Sequence, residues 1–246
     1  MTIPLMDIRA QYAPLRGELD AALADILDTG SFILGPRVRA VEEAVSQRLD
    51  NRPCVGVGNG TDALVIALQA LGVGPGDEVI TTPYTFYATA EAIARHGATP
   101  VFVDVEPVGA CIDPDLLQER VTDRTKAIIP VHIFGHAAPM TPILTTAAEN
   151  GLSVIEDAAQ AFGSADGEWA VGTMGDIATI SFFPTKNFPG IGDGGMVACR
   201  DTDMGNLVRR LRFHGSEDKQ TFTEVGYTSR LDEIQAAAVG IFLPHV

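Results

Sequence analysis

Along the first fifty residues, apolar positions recur at helical spacing. Residues 14–28 set Leu15, Leu19, Ala22, Leu23, Ile26 and Leu27 on one face, and Thr29-Gly30-Ser31 closes that helix. After a turn at 32–36, Val38, Val41, Val45 and Leu49 predict a second amphipathic helix. From residue 54 the pattern changes to short apolar runs, tight loops and helices rich in Ala and Leu. Strands are predicted at 54–57, 78–82, 100–105, 125–134 (broken by Pro130), 152–157, 177–183 and 196–199. Helices are predicted over 62–71, 88–95, from Asp113-Pro114 onward and over 140–149, with a last one over 230–243. Several strands are continuous apolar runs, which fits an α/β fold with a largely parallel central sheet and helices on both faces.

In such sheets ligands bind beyond the carboxyl ends of the strands. Asp157, Gln160, Ser181 and Lys186 all fall at or just after a predicted strand end. Lys186 follows an apolar run that stops at Pro184 and precedes a loop with glycines at 190, 192, 194 and 195. A lysine hemmed in this way is either a surface-loop residue or a placed amine able to form a Schiff base with a carbonyl. Upstream, Gly58-Asn59-Gly60-Thr61 feeds a helix N-terminus. It reads equally as a phosphate site and as a plain turn capped by Asn59 or Thr61. Tyr84, Phe86 and Tyr87 follow a strand end, as core residues or as a face on which a planar ligand stacks.

Composition narrows the classes. The 246 residues are 46% hydrophobic, enough for one large α/β domain or two small ones. A net charge of −15 argues against a nucleic-acid or anionic-membrane partner, though a phosphorylated ligand can still be held by backbone amides. Cys54, Cys111 and Cys199 are odd in number and lack CxxC spacing, as expected of reduced thiols in a cytoplasmic protein. Met1–Asp7 has neither the basic start nor the apolar core of a signal peptide, and no apolar run approaches a membrane span. The five histidines show no metal-ligand spacing beyond His132 and His136, which flank a Phe-Gly turn, so no metal site is expected. Gly190-Ile-Gly-Asp-Gly-Gly195 matches GxGxxG and raises a dinucleotide-binding oxidoreductase as an alternative. That fingerprint must open a helix, and here a strand-like run, Met196–Cys199, follows it.

Taken together, a phosphate turn at Gly60-Thr61, an aromatic at Phe86, a carboxylate at Asp157, a hydroxyl at Ser181 and an amine at Lys186 make the inventory that pyridoxal 5′-phosphate (PLP) requires. The motifs Asn59-Gly-Thr-Asp-Ala-Leu64, Glu156-Asp-Ala-Ala-Gln160, Ser181-Phe-Phe-Pro-Thr-Lys-Asn187 and Gly192-Asp-Gly-Gly195 resemble those of the DegT/DnrJ/EryC1/StrS sugar aminotransferases. Phe32–Gly35 and Gly226–Gln235 extend the likeness over essentially the whole chain. The resemblance implies a fold-type I PLP enzyme, a homodimer with sites shared between subunits, that moves an amino group, commonly from glutamate, to a keto group of a nucleotide-linked sugar. It implies Lys186 as the Schiff-base lysine and Asp157 as the partner of the pyridine nitrogen. Gln160 would contact the ring's 3′-oxygen, Phe86 would stack on the ring, and Gly60, Thr61 and Ser181 would hold the phosphate. Some members carry histidine at the position of Lys186 and dehydrate the sugar, so the lysine favours transamination.

Two departures stand out. Thr228 occupies the place of an asparagine that reaches the neighbouring subunit's phosphate. The family's chain also continues into a smaller C-terminal domain. The implied organisation is an N-terminal helical segment (1–50), a PLP-binding large domain (51–228) and the start of a connecting helix (229–246), with the small domain absent. A PLP-binding but catalytically impaired fragment is the second alternative.

Overall fold

The computed structural model describes residues 6–246; the signal-peptide expectation falls in part on residues 1–5, which lie outside them. In chain order the elements are α1 (Ile8–Tyr12), α2 (Arg16–Thr29), α3 (Pro36–Arg48), β1 (Cys54–Val57), α4 (Gly60–Ala70), β2 (Glu78–Thr81), α5 (Ala88–Arg95) and β3 (Thr99–Phe102). They continue with β4 (Thr125–Ile129), α6 (Met140–Asn150), β5 (Ser153–Asp157), β6 (Ala165–Asp166), β7 (Trp169–Ala170), β8 (Ile177–Ser181), β9 (Gly195–Cys199), α7 (Thr202–Leu211) and α8 (Glu233–Phe242).

Seven strands form one sheet in the order β1-β9-β8-β5-β4-β2-β3. Its neighbours pair in parallel from β3 through β8, while β9 runs antiparallel to both β8 and β1. Every strand except β9 therefore points its carboxyl end to the same edge. Alternation along the strands separates two cores. Val197 and Cys199 of β9 pack with α4, α5 and α7 on one face, and Met196 and Ala198 pack with α3 and α8 on the other. Farther along that second face, α6 covers Ile80, Ile128 and Val154. The layers are thus helix, sheet, helix, as the continuous apolar strands predicted.

Several local expectations shift. In α2, Ala22 and Ile26 are buried against Ala237 of α8, but Leu23 and Leu27 face solvent. The helix expected from Pro114 is two single 3₁₀ turns, Pro114–Leu116 and Gln118–Arg120. Val121 is already extended, so the segment is too short to sustain an α-helix. Strand β3 ends at Phe102, the last residue with a partner on β2. Past Pro130 the predicted strand becomes a turn at Ile133–Gly135 with Phe134 left-handed (φ 55°). Helix α7, which the periodicity reading passed over, starts at Asp201, whose carboxylate accepts from the Met204 amide.

Candidate active site

The carboxyl edge of the sheet encloses a cavity of about 420 Å³. Gly60, Thr61, Phe86, Asp157, Gln160, Ser181 and Lys186 all line it, so one pocket collects residues spread over more than half the chain. Thr228 is not among the lining residues. It bridges Phe213, and its hydroxyl lies 2.7 Å from the His214 Nε2, so within one chain it stands apart from the others.

The turn into α4 is built by close approach. Asn59 is the N-cap, its side-chain oxygen accepting from the Asp62 amide at 2.8 Å. The cap reading holds at Asn59, and the cap leaves the first amides of the helix with no carbonyl one turn back to bond. Gly60 sits so near β8 that a Cβ there would lie 2.7 Å from Ser181 Cβ. Only glycine brings the helix N-terminus beside the serine hydroxyl. The result is a cradle of outward amides, a positive helix end and one hydroxyl, which is what a phosphate group needs.

Lys186 is fixed by the aromatic residues on either side of it in sequence. Phe182 and Phe188 are fully buried, their rings 5.0 Å apart, and Phe188 stacks on Phe162 at 4.5 Å. Burying each contributes roughly 2–3 kcal/mol, so the loop between them is pinned at both ends. Within it the Lys186 amide donates to the Phe183 carbonyl and Asn187 donates to the Phe162 carbonyl. Burial pushes the Lys186 amine below its usual range, and the Asp157 charge opposes that shift.

The glycine loop that follows is held from two distant elements. The Tyr12 hydroxyl donates to the Gly190 carbonyl at 2.5 Å, and Gln235 of α8 accepts from the Ile191 amide at 3.0 Å. The loop then enters strand β9 and opens no helix, which removes the dinucleotide fingerprint reading.

Asp157 closes β5 at the cavity floor. Its Oδ2 accepts from the Thr89 hydroxyl at 2.9 Å, and its Oδ1 has only a long contact, 3.3 Å, from the Ala159 amide. Burial raises its pKa, with Thr89, Ala159, Lys186 and His132 pulling the other way. A desolvated carboxylate with spare acceptor capacity fits a cationic N–H such as a protonated pyridine nitrogen.

Its neighbour Glu156 projects to the opposite face of the sheet and is fully buried. One oxygen accepts from the amides of Met174 and Gly175, the other from the Gly172 amide and His132 Nε2. His132 Nδ1 accepts from the Ala138 amide at 2.9 Å, which places the ring proton on Nε2. The carboxylate belongs to the fold, and so does His132. Among the described residues there is no cluster able to hold a metal ion, and no helix is long and apolar enough to cross a membrane.

Among the polar lining residues to which the sequence reading gave no role are Thr85, Thr89, Thr185 and Asp193. Thr85 lies in the bend before α5 and Thr89 in the first turn of that helix, with their hydroxyl oxygens 2.9 Å apart.

A mostly parallel sheet between helix layers, with a lysine and a buried acid at its carboxyl edge, is the large domain of the PLP-dependent transferases of fold type I. The chain belongs to the DegT/DnrJ/EryC1/StrS aminotransferase family, whose model matches residues 14–246. It is 48% identical over its full length to a "Pleiotropic regulatory protein" of Geobacillus stearothermophilus. It is also 48% identical, over 99% of its length, to a UDP-N-acetyl-3-dehydro-alpha-D-glucosamine 3-aminotransferase of Acidithiobacillus ferrooxidans. The chain spans 66% of the length of each of these relatives. Among solved structures, DesV of S. venezuelae, described in complex with a ketimine intermediate, superposes with a TM-score of 0.96 at 41% identity; the match covers 99% of this chain and 66% of that one. A Bacillus subtilis protein described with bound cofactor PMP gives 0.92 at 34% identity, over 98% of this chain and 55% of that one.

Proposed function

We propose that this chain is a PLP-dependent aminotransferase that moves an amino group from glutamate to a keto group of a nucleotide-linked deoxysugar. The observation that carries the reading is the meeting of the Lys186 amine, the Asp157 carboxylate and the Gly60-Thr61 helix start in one cavity. The sugar aminotransferases to which it is similar support the substrate class.

When bound, PLP supplies a carbonyl carbon and an electron-withdrawing ring. The residues divide the remaining work. Lys186, its amine made less basic by burial, offers Nζ as nucleophile to the carbonyl and as the base that carries a proton at the substrate carbon. Asp157 would hold the proton on the ring nitrogen. Gln160 spends its carbonyl on the Phe134 amide at 3.1 Å, which leaves its NH₂ to donate to the ring's 3′-oxygen. Phe86, 70% exposed at the cavity, would cover the ring face. The amides of Gly60 and Thr61 and the Ser181 hydroxyl would hold the phosphate.

Working as a homodimer in the cytoplasm completes the proposal. Exposed Phe86 and Phe183 line the cavity, and exposed Tyr84 and Tyr87 stand beside Phe86 in sequence, an apolar surface that a second copy would cover; Thr228 would act across that interface. The test is borohydride reduction of the PLP-loaded protein followed by peptide mapping. A pyridoxyl label on Lys186, absent in Lys186→Ala, is expected; a label on Lys126 or Lys219 instead overturns the assignment.

A further inference from the structure

Thr89 is 99% buried on the first turn of α5, and Thr85 is half-buried just before that helix. Their hydroxyl oxygens are 2.9 Å apart, and Thr89 Oγ1 is 2.9 Å from Asp157 Oδ2. A hydroxyl has one proton to give, and an ionised carboxylate can only accept. Thr89 therefore donates to Asp157, and its oxygen accepts the proton of Thr85. With Asp157 ionised, the direction of both bonds follows.

Threonines at the start of a helix ordinarily serve as caps. Here the N-cap position is Tyr87, no side chain caps α5, and both nearby threonines are committed to the chain that ends on Asp157. The other groups facing that carboxylate are the Ala159 amide, Lys186 and His132. None of them bonds Oδ2. With Oδ2 taken by Thr89, Oδ1, which has only the 3.3 Å contact from the Ala159 amide, is the oxygen with spare acceptor capacity.

We propose that Thr89, oriented by Thr85, is a positioning residue that keeps Asp157 ionised and directs its Oδ1 at the cofactor. The last clause rests on the pyridine-nitrogen reading of Asp157; the hydroxyl chain itself does not. If Thr89 donates to the carboxylate, removing its hydroxyl favours the neutral acid, which cannot hold a proton on a ring nitrogen.

The test uses the full chain labelled with ¹³C at aspartate carboxyl groups, titrated by NMR without cofactor, with PLP affinity measured separately by absorbance. Thr89→Val is expected to raise the Asp157 midpoint by about one pH unit and to weaken PLP about tenfold, the equivalent change in free energy. Thr89→Ser, which keeps the hydroxyl, is expected to restore both. Thr85→Val is expected to move them in the same direction by a smaller amount, and it carries the test if Thr89→Val does not fold. An Asp157 midpoint unmoved in a folded Thr89→Val or Thr85→Val protein, or no restoration by serine, overturns the proposal. The functional reading fails separately. If Asp157→Asn binds PLP as tightly as the parent, the ring-nitrogen partnership is wrong, while the apo titration still reports on the threonines.

Discussion

Glu156 and Asp157 are adjacent on one strand, both are carboxylates, and both are buried, yet the protein treats them in opposite ways. Glu156 receives four donors, three of them backbone amides of the 172–175 turn, and these hydrogen bonds outweigh burial and hold its pKa below the usual value. Asp157 receives one good donor and one long one, and burial raises its pKa. Strand alternation puts a saturated carboxylate on one face of the sheet and an under-supplied one on the other. The first has nothing left to give a ligand. The second is costly until a cation arrives, and that cost is the mark of a site.

Substitution should separate the two. The largest effect is expected from Glu156→Gln, which turns amide protons toward amide protons and leaves buried donors unpaired. A loss of about 3 kcal/mol follows, or roughly 6–12 °C in Tm, read by thermal denaturation. Asp157→Asn is expected to invert the pattern. Its stability should stay within about 1 kcal/mol of the parent, while bleaching of the cofactor absorbance by glutamate slows about 100-fold. A protein that loses stability at Asp157 and keeps its rate would erase the distinction.

Gly60→Ala tests the phosphate side of the same cavity. The added Cβ would meet Ser181 Cβ at 2.7 Å and Cα at 3.3 Å, so β8 or the helix must move. A cost of about 1.5 kcal/mol is expected, together with PLP binding weakened about tenfold. Stability at parent level with cofactor affinity intact would mean that the close approach has no bearing on the site.

The smallest effect is in the pH dependence, and its sign differs between the two acids. Glu156 titrates lower in the folded chain than in the unfolded one, so its contribution is complete above the ordinary glutamate value of 4.5 and is lost as pH falls through the folded value. Asp157 titrates higher when folded, so the folded state binds more protons just above 3.8 and stability falls as pH rises through that window. Denaturant midpoints measured from pH 3 to 7 should therefore flatten at the acid end in Glu156→Gln. In Asp157→Asn they should lose the decline above 3.8.

Much of this was legible in the sequence. The strand, turn and helix at residues 54–70 and the apolar run ending at Pro184 have strong local causes, and the pocket collects the residues they carry. What stayed hidden depends on partners far away in the chain. Glu156 and Asp157 read as a pair of strand-end acids, and only the amides of residues 172–175 tell them apart. Thr89 looks like any helical threonine until β5 lies beside α5. Leu23 and Leu27 extend an apolar stripe that α8 is too narrow to cover. The 114–120 segment has a good start signal and not enough length. Helix α7 could have been found from the Asp201 cap.

The hold on the glycine loop has a consequence for how the molecule assembles. Tyr12 reaches Gly190 across 178 positions and Gln235 reaches Ile191 across 44, while Glu233 caps the start of α3 from 195 positions away at Val38. Closing such distances adds little to the equilibrium cost, because that entropy grows only with the logarithm of loop length. It matters for order of events, since contacts of high sequence separation form slowly. The central strands can pair, and the helices can pack on them, before the loop after Lys186 is fastened. Fastening of the loop after Lys186 is thus expected to come late in folding, once helices at the two ends of the chain have reached it.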